Sequence, residues 1–239
     1  MIEPEIAFAD LDDNMDLAED YLKYCLKYVL LNNDDDIAYF SAEEKRKNDA
    51  TKKANPKAIV IEELLKERLE AVANTPFKRI SYTECIELLE QEMKAKKVKF
   101  TEKPTWGCDM NSEHERYLAE KVFKQPIIVF NYPKDFKAFY MKRNEDNKTV
   151  QAMDVLVPYI GELMGGSVRE ESLEKLDQSL KEKGLPEEPY WWYRELRMYG
   201  TQPHAGFGLG FERLVMMCTG TENIRDVIPF PRYPGKAEF

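Results

Sequence analysis

The sequence predicts an α+β domain with one central antiparallel β-sheet flanked by helices. Three observations predict it. Apolar residues alternate with polar ones at the very start of the chain, and runs rich in Ile, Val, Phe and Tyr return at 125–132, 136–143 and 150–158. Stretches with apolar residues three and four apart lie before and after those runs. Finally, the later strands follow one another through tight turns, where a doubly wound parallel sheet would alternate strands regularly with helices.

Taken in order, Ile2, Pro4, Ile6 and Phe8 alternate with Glu3, Glu5 and Ala7, the period of a half-buried strand whose polar face carries two carboxylates. A chain that opens on a strand is read in two ways, as lacking upstream sequence or as starting with an edge strand. Leu17, Leu22, Cys25, Leu26, Val29 and Leu30 then mark one face of a long helix over 12–31. The polar stretch 32–57, rich in Asp, Lys and Asn, is expected to be mostly a solvated loop or insertion apart from the short segment 37–40. Helical spacing returns over 59–72, 82–93 and 113–123, the last with Ser112 and Glu115 at capping-box spacing. Two further helices are expected over 171–183 and 189–198, where the aromatic cluster at 190–193 reads as core packing, before a strand at 206–210 and a last helix at 211–218.

Composition narrows the function classes. With 43% hydrophobic and 33% charged residues in 239, the chain can bury a core and is neither disordered nor a coiled coil. Its net charge of −9 argues against holding nucleic acid by overall electrostatics, so any RNA partner needs local geometry or another domain. Four scattered cysteines without a CxxC pair, and only His114 and His204, argue against a structural zinc site and suit a reducing compartment. No run of about 18 apolar residues and no signal-peptide pattern occurs, so a cytoplasmic protein without a membrane partner is expected.

The segment from His204 to Arg213 carries the most chemistry. Gly206, Gly208 and Gly210 fall on one strand face and Phe207, Leu209 and Phe211 on the other. A bare backbone shelf admits a flat ring such as a nucleobase, and Arg213 just beyond it suits a ring or a phosphate; equally, glycines in a strand make room for a neighbouring element. Upstream, Asp154 and Glu162 stand among apolar residues, which suits either magnesium beside a triphosphate or pairing with a base such as Arg169. Arg169 itself follows the small residues Gly165, Gly166 and Ser167, so its guanidinium suits a ligand carboxylate or amide oxygen, or a structural ion pair. His204 has no nucleophile or acid placed with it and reads as a supporting residue.

These residues resemble a known family. The run at 206–220, GFGLGFERLVMMCTG, resembles motif 3 of the class II aminoacyl-tRNA synthetases, and the final residues look like the C-terminal end of the bacterial-type asparaginyl enzymes in the aspartyl, asparaginyl and lysyl subgroup. The runs GCDMNSEHERYL, FKAFYMKRN and MDVLVPYIGELMGGSVREE are similar to the same family, the N-terminal residues are similar to the second half of its motif 2, and against the family about 42–57 reads as a solvated insertion. The resemblance implies that Arg213 contacts ATP with Gly208, Gly210, Phe211 and Glu212 lining the nucleotide site. It implies Mg²⁺ on Asp154 and Glu162, asparagine against Arg169, Tyr140 and Gly206, and Arg213, Glu162 and Arg169 as the catalytic set. The implied reaction is ATP-dependent activation of asparagine followed by transfer to the asparagine tRNA, in a homodimer for the full-length family member.

The family's anticodon-binding OB-fold, its motif 1 and the first half of motif 2 have no counterpart in the sequence, which is read as a partial catalytic domain over 1–239, weakly active or inactive alone. Competing readings are an aspartyl-tRNA synthetase, an ATP-dependent asparagine synthetase, or a non-catalytic interaction module. Intact Glu162, Arg169 and Arg213 speak against the last.

Overall fold

The protein is described here by a computed structural model covering residues 1–61 and 63–238. It divides into two compact units, one formed by residue 1, 19–76 and the residues from 210 onward, the other by 2–18 and 77–209.

The second unit holds a six-stranded sheet. Its strands are β1 (Glu5–Ala7), β2 (Lys78–Ser81), β3 (Ile127–Pro133), β4 (Thr149–Val157), β5 (Gly161–Val168) and β6 (His204–Leu209), in the order β1-β6-β5-β4-β3-β2. All neighbours are antiparallel except β2 and β3, so the sheet is mixed rather than purely antiparallel. The parallel pair requires a crossover, and helix α4 (Tyr82–Lys94) lies in it. Ser81 caps α4: its hydroxyl accepts from Glu84 N at 3.2 Å while Glu84 accepts from Ser81 N at 2.9 Å, the reciprocal arrangement that satisfies two end donors. Tyr82, Cys85 and Leu89 of α4 are fully buried with Ile127 and Val129 of β3 in the main core. Burial pushes the Cys85 thiol up to about 12, which makes it a packing residue and not a nucleophile.

Two strands escape the sequence pattern and one expected strand is absent. β2 is only four residues long, and β5 carries three glycines, so neither stands out by propensity; each is held by its neighbours' ladders. The expected strand at 136–143 is reduced to isolated bridges at Met141 and Arg143. Its aromatic residues pack by their rings instead: Phe139 lies 4.8 Å from Tyr190 and Tyr140 6.3 Å from Tyr193, beside helix α7 (Trp191–Met198). The aromatic cluster at 190–193 is not core as expected, since Trp191 and Trp192 are more than half exposed.

Helix α1 (Leu11–Asn32) begins in the second unit and continues into the first, with Asp10 and Asp13 each accepting from the other's backbone N–H. The first unit adds α2 (Asp34–Ala54), α3 (Leu65–Asn74) and α8 (Phe211–Thr219). α2 corrects the reading of 32–57 as a loop. It contains no Gly or Pro, opens on Asp34, Asp35 and Asp36 and closes with Lys52 and Lys53, so propensity and the helix dipole both favour it. Ile37 is its single buried residue, which is why periodicity did not reveal it. α3 starts at Leu65, so the expected helix at 59–72 is shorter at its front, where residue 62 lies outside the described residues. α8 ends at Gly220, whose φ of 66° is the left-handed cap that glycine adopts freely.

The second unit also contains α5 (Ser112–Tyr117), which continues as a wider turn at Leu118–Val122, and α6 (Leu173–Glu182). The cap of α5 is Asn111 and not Ser112: its side-chain oxygen accepts from Glu113 N and His114 N. Among the described residues no helix is long and apolar enough to cross a membrane.

A cavity of about 580 Å³ opens between the 134–143 segment and α6, lined by residues that include Phe139, Met141, Arg143, Ser179 and Glu182. Arg143 donates to Ser179 Oγ at 2.8 and 3.1 Å and to Glu182 at 2.8 and 3.1 Å. The bonds from Arg143, then Lys134, hold the Glu182 carboxyl at about 2, below its usual 4.5. A depressed folded-state value means that the pairing is fully present above about 4.5 and is lost as pH falls toward 2. Glu182→Gln is therefore expected to flatten part of the drop in Tm between those pH values, while leaving Tm at pH 7 lower than wild type. Because the Glu182 side chain is 37% exposed, solvent screens the pair and the effect is modest.

Candidate active site

Sheet register assembles the site within the second unit. Asp154 on β4 pairs with Gly165 on β5, which pairs with Gly208 on β6. One row on, Ala152 pairs with Ser167, Ser167 with Gly206, and Gly206 with Glu5 on β1. Paired residues, and those two apart, share a face, so these rows form one continuous surface.

The first row carries Asp154, and Glu162, paired with Leu156 beyond a register shift, converges on it. A Cβ placed on Gly165 would lie 2.9 Å from Glu162 Oε1 and 3.2 Å from Asp154 Oδ1, so glycine here leaves the two carboxylates room to converge. The other oxygen of Asp154, Oδ2, accepts from Lys137 Nζ at 2.7 Å. Tyr132 bonds the same carboxylate through its hydroxyl and is held well above its usual ionisation range, first by burial and then by the Asp154 charge. Glu115 adds a third acid nearby, accepting from Glu162 N at 3.3 Å.

The donor set fits a hard cation: two carboxylate oxygens face the same space over Gly165, and oxygen is what magnesium prefers. No group of three or more His, Cys, Asp or Glu side chains is arranged to hold a metal among the described residues, so the protein offers no closed cage. An ion here would depend on phosphate and water oxygens to complete its shell.

The second row carries the arginine. Arg169 donates from Nε and Nη2 to Glu5 Oε1 at 2.9 and 2.6 Å and from Nη1 to Ser167 Oγ at 2.7 Å. Its guanidinium carbon lies 5.4 Å from the Tyr140 ring centroid, which places the two expected pocket residues together. Gly206 differs from the bare shelf predicted for it. A Cβ there would fall 2.5 Å from the Pro4 carbonyl oxygen and 2.6 Å from the Glu5 carboxyl carbon, so this glycine admits β1 and the Glu5 side chain. The His204 carbonyl accepts from Arg169 N at 2.9 Å, and its Nδ1 lies 2.8 Å from Gln202 O.

The remaining predicted residues belong to the first unit. Gly210 directly follows β6 and caps α8, where Leu214 N bonds its carbonyl at 3.0 Å. Phe211 is 49% exposed and ends the buried alternation of Phe207 and Leu209, because the strand has become a helix by that point. Glu212 and Arg213 occupy the first turn of α8.

Sequence reasoning left Glu5, Ser167, Lys137 and Tyr132 without roles. Glu5 had one signal, its place on the polar face of the first strand. The others show themselves only through cross-strand register and the path of 134–140.

The sheet that carries these rows is shared with known proteins. The chain belongs to the tRNA synthetases class II (D, K and N), whose family model matches residues 1–234. Among curated relatives, it is 59% identical to asparagine–tRNA ligase of Protochlamydia amoebophila over 239 residues, all of this chain and 47% of that protein. It is 54% identical over the same span to the corresponding ligase of Cytophaga hutchinsonii, again covering 47% of it. The chain thus spans about half the length of the curated relatives it matches. Among solved structures, asparaginyl-tRNA synthetase from Pyrococcus horikoshii complexed with asparaginyl-adenylate superposes with a TM-score of 0.80 at 35% identity, covering 98% of this chain and 47% of that one. The Entamoeba histolytica asparaginyl enzyme gives 0.77 at 30% identity, over 99% and 48% of the two chains.

Proposed function

We propose that this chain supplies the amino-acid and metal-binding face of an asparagine–tRNA ligase, which forms asparaginyl adenylate from asparagine and ATP and transfers the asparaginyl group to its tRNA. One observation carries the choice of amino acid: Glu5 and Arg169 stand side by side on the same row. A carboxamide offers an oxygen to the guanidinium and an N–H to the carboxylate. An aspartate side chain would satisfy Arg169 but meet a like charge at Glu5.

In the reaction, a carboxylate oxygen of asparagine attacks the α-phosphorus of ATP and the bond to the bridging oxygen breaks, releasing pyrophosphate. A ribose hydroxyl of the tRNA then attacks the acyl carbon and AMP leaves. No protein nucleophile is required. The protein's contribution is placement, which removes the entropy of bringing reactants together, and fixed charge where charge develops. Arg169, Glu5 and Ser167 orient the amino acid. Asp154 and Glu162 are the residues that would hold Mg²⁺, which when bound neutralises phosphate charge. By the family resemblance, Gly208, Gly210, Phe211, Glu212 and Arg213 line the nucleotide site, with Arg213 on ATP.

The same resemblance supports a cytoplasmic protein and a homodimer for the full-length family member. With a net charge of −9, this chain would meet tRNA through local groups or leave it to another domain, not through a general basic field. The reading is tested by binding of a non-hydrolysable asparaginyl-adenylate analogue to the purified chain, which an intact Glu5–Arg169 row predicts to favour asparaginyl over aspartyl.

A further inference from the structure

The acid pair is accompanied by a cation that neither composition nor motif revealed. Lys137 Nζ is 2.7 Å from Asp154 Oδ2, and the two side chains are only 17% and 12% exposed. The ammonium also lies 3.9 Å from the centroid of the Tyr132 ring, whose hydroxyl bonds Asp154 as well. The ring and the carboxylate thus hold the ammonium in one position, through cation–π and charge-assisted contacts. Meanwhile Asp154 Oδ1 and Glu162 Oε1 face the opposite side, over Gly165. The amine and a metal ion therefore use different oxygens of Asp154, and neither has to displace the other.

We propose that Lys137 is a built-in counter-ion that keeps this acid pair from retaining a divalent cation on its own, so that the cation is held firmly only together with a nucleotide triphosphate. The inference rests on the reading of Asp154 and Glu162 as the metal acids. Lys137 removes one unit from the negative charge of the acids, and a divalent ion at Oδ1 feels a positive charge one carboxylate away. The repulsion is strong because the pair is largely withdrawn from solvent. A triphosphate brings its own negative charge and oxygen ligands, which outweigh that repulsion. Glu115, the third acid packed against this group, lies on the Glu162 side and leaves the Asp154–Lys137 pair intact. Lys137 is thus a positioning residue for metal and nucleotide together.

The probe is Mn²⁺, followed by the loss of the free-ion electron paramagnetic resonance signal, with the 239-residue chain and no nucleotide. Lys137→Gln is expected to bind Mn²⁺ about 10-fold or more tightly than wild type, a difference that narrows when a non-hydrolysable ATP analogue is added. Lys137→Arg, which keeps the charge, is expected to match wild type. Lys137→Met, which keeps the apolar stem over Tyr132, is expected to match Lys137→Gln and serves in its place should the glutamine variant fail to fold. Equal or weaker Mn²⁺ binding by the neutral variants, or tightening by Lys137→Arg as well, would overturn the proposal. Adding Asp154→Asn to the neutral variant separates the two ideas. Loss of the tightening locates it at the acid pair. Tight binding that survives means that the metal assignment underlying the inference is itself wrong.

Discussion

Arg169→Ala is expected to weaken binding of an asparaginyl-adenylate analogue by about 100-fold, read by calorimetric titration of the purified chain. The guanidinium makes three bonds at 2.6–2.9 Å to Glu5 and Ser167. Hydrogen bonds to charged groups contribute about 1.5–3 kcal/mol each, and about 1.4 kcal/mol is a factor of ten. Removing it deletes the donor proposed for the amide oxygen and also leaves the Glu5 carboxylate without this partner. Arg169→Lys is expected to recover only a small part, because one ammonium cannot reproduce a planar fork that bonds two residues at once. A structural role alone would show as a fall in Tm with affinity unchanged in the folded sample. The site assignment requires the reverse, affinity lost with Tm moved little, since the Glu5 partner is 51% exposed and the pair is solvent-screened.

Gly166→Ala is expected to destabilise the protein by about 3 kcal/mol, which is at the upper end for overpacking. The added Cβ would sit 2.6 Å from the Gly206 carbonyl oxygen and 2.7 Å from Phe207 Cβ, with Met153 Cε at 3.0 Å. Two of these belong to β6, whose ladder with β5 cannot shift locally without disturbing the register that brings Gly165 to Gly208. Gly184 is the control: it has φ of 65° and nothing within 4 Å of the added atom, so alanine there meets only backbone strain of about 1 kcal/mol. Urea unfolding of the two variants would separate a steric effect from a general intolerance of alanine at glycine sites.

Much of this fold could be read because its helices bury one face at helical spacing and its central strands, buried on both faces, are runs rich in Ile, Val and aromatic residues. The helix ending near Leu31, the strand pair around 127–133 and 149–157 and the last helix all follow that pattern. Elements stabilised in other ways could not be read so. α2 buries only Ile37 and is carried by propensity and end charges, so it looked like a solvated loop. β5 has the composition of a loop and exists because two ladders hold it. The segment at 136–143 reads as a strand because its aromatic residues resemble strand residues, yet Phe139 and Tyr140 pack by their rings on Tyr190 and Tyr193, and only bridges at Met141 and Arg143 form.

The candidate site divides the same way. Asp154, Glu162 and Arg169 were legible because charged residues among apolar or small neighbours demand a partner or a ligand. Gly206 was legible as a close-approach position, but what approaches it, Glu5 from 201 residues away in the chain, is set by the β1–β6 pairing and by nothing local. Lys137 is one of many lysines in the sequence, and its meaning comes only from the 2.7 Å contact with Asp154.

The central claim is that the Glu5–Arg169 row selects a carboxamide. It is tested most directly by the thermal shift of the purified chain with matched non-hydrolysable asparaginyl-adenylate and aspartyl-adenylate analogues at equal concentration, since a ligand bound only by the native state raises Tm more the tighter it binds. The account predicts a clear upward shift with the asparaginyl compound, little with the aspartyl one, and a narrowed difference in Glu5→Gln. An aspartyl shift equal to or larger than the asparaginyl one, in a cooperatively folded sample, would contradict it.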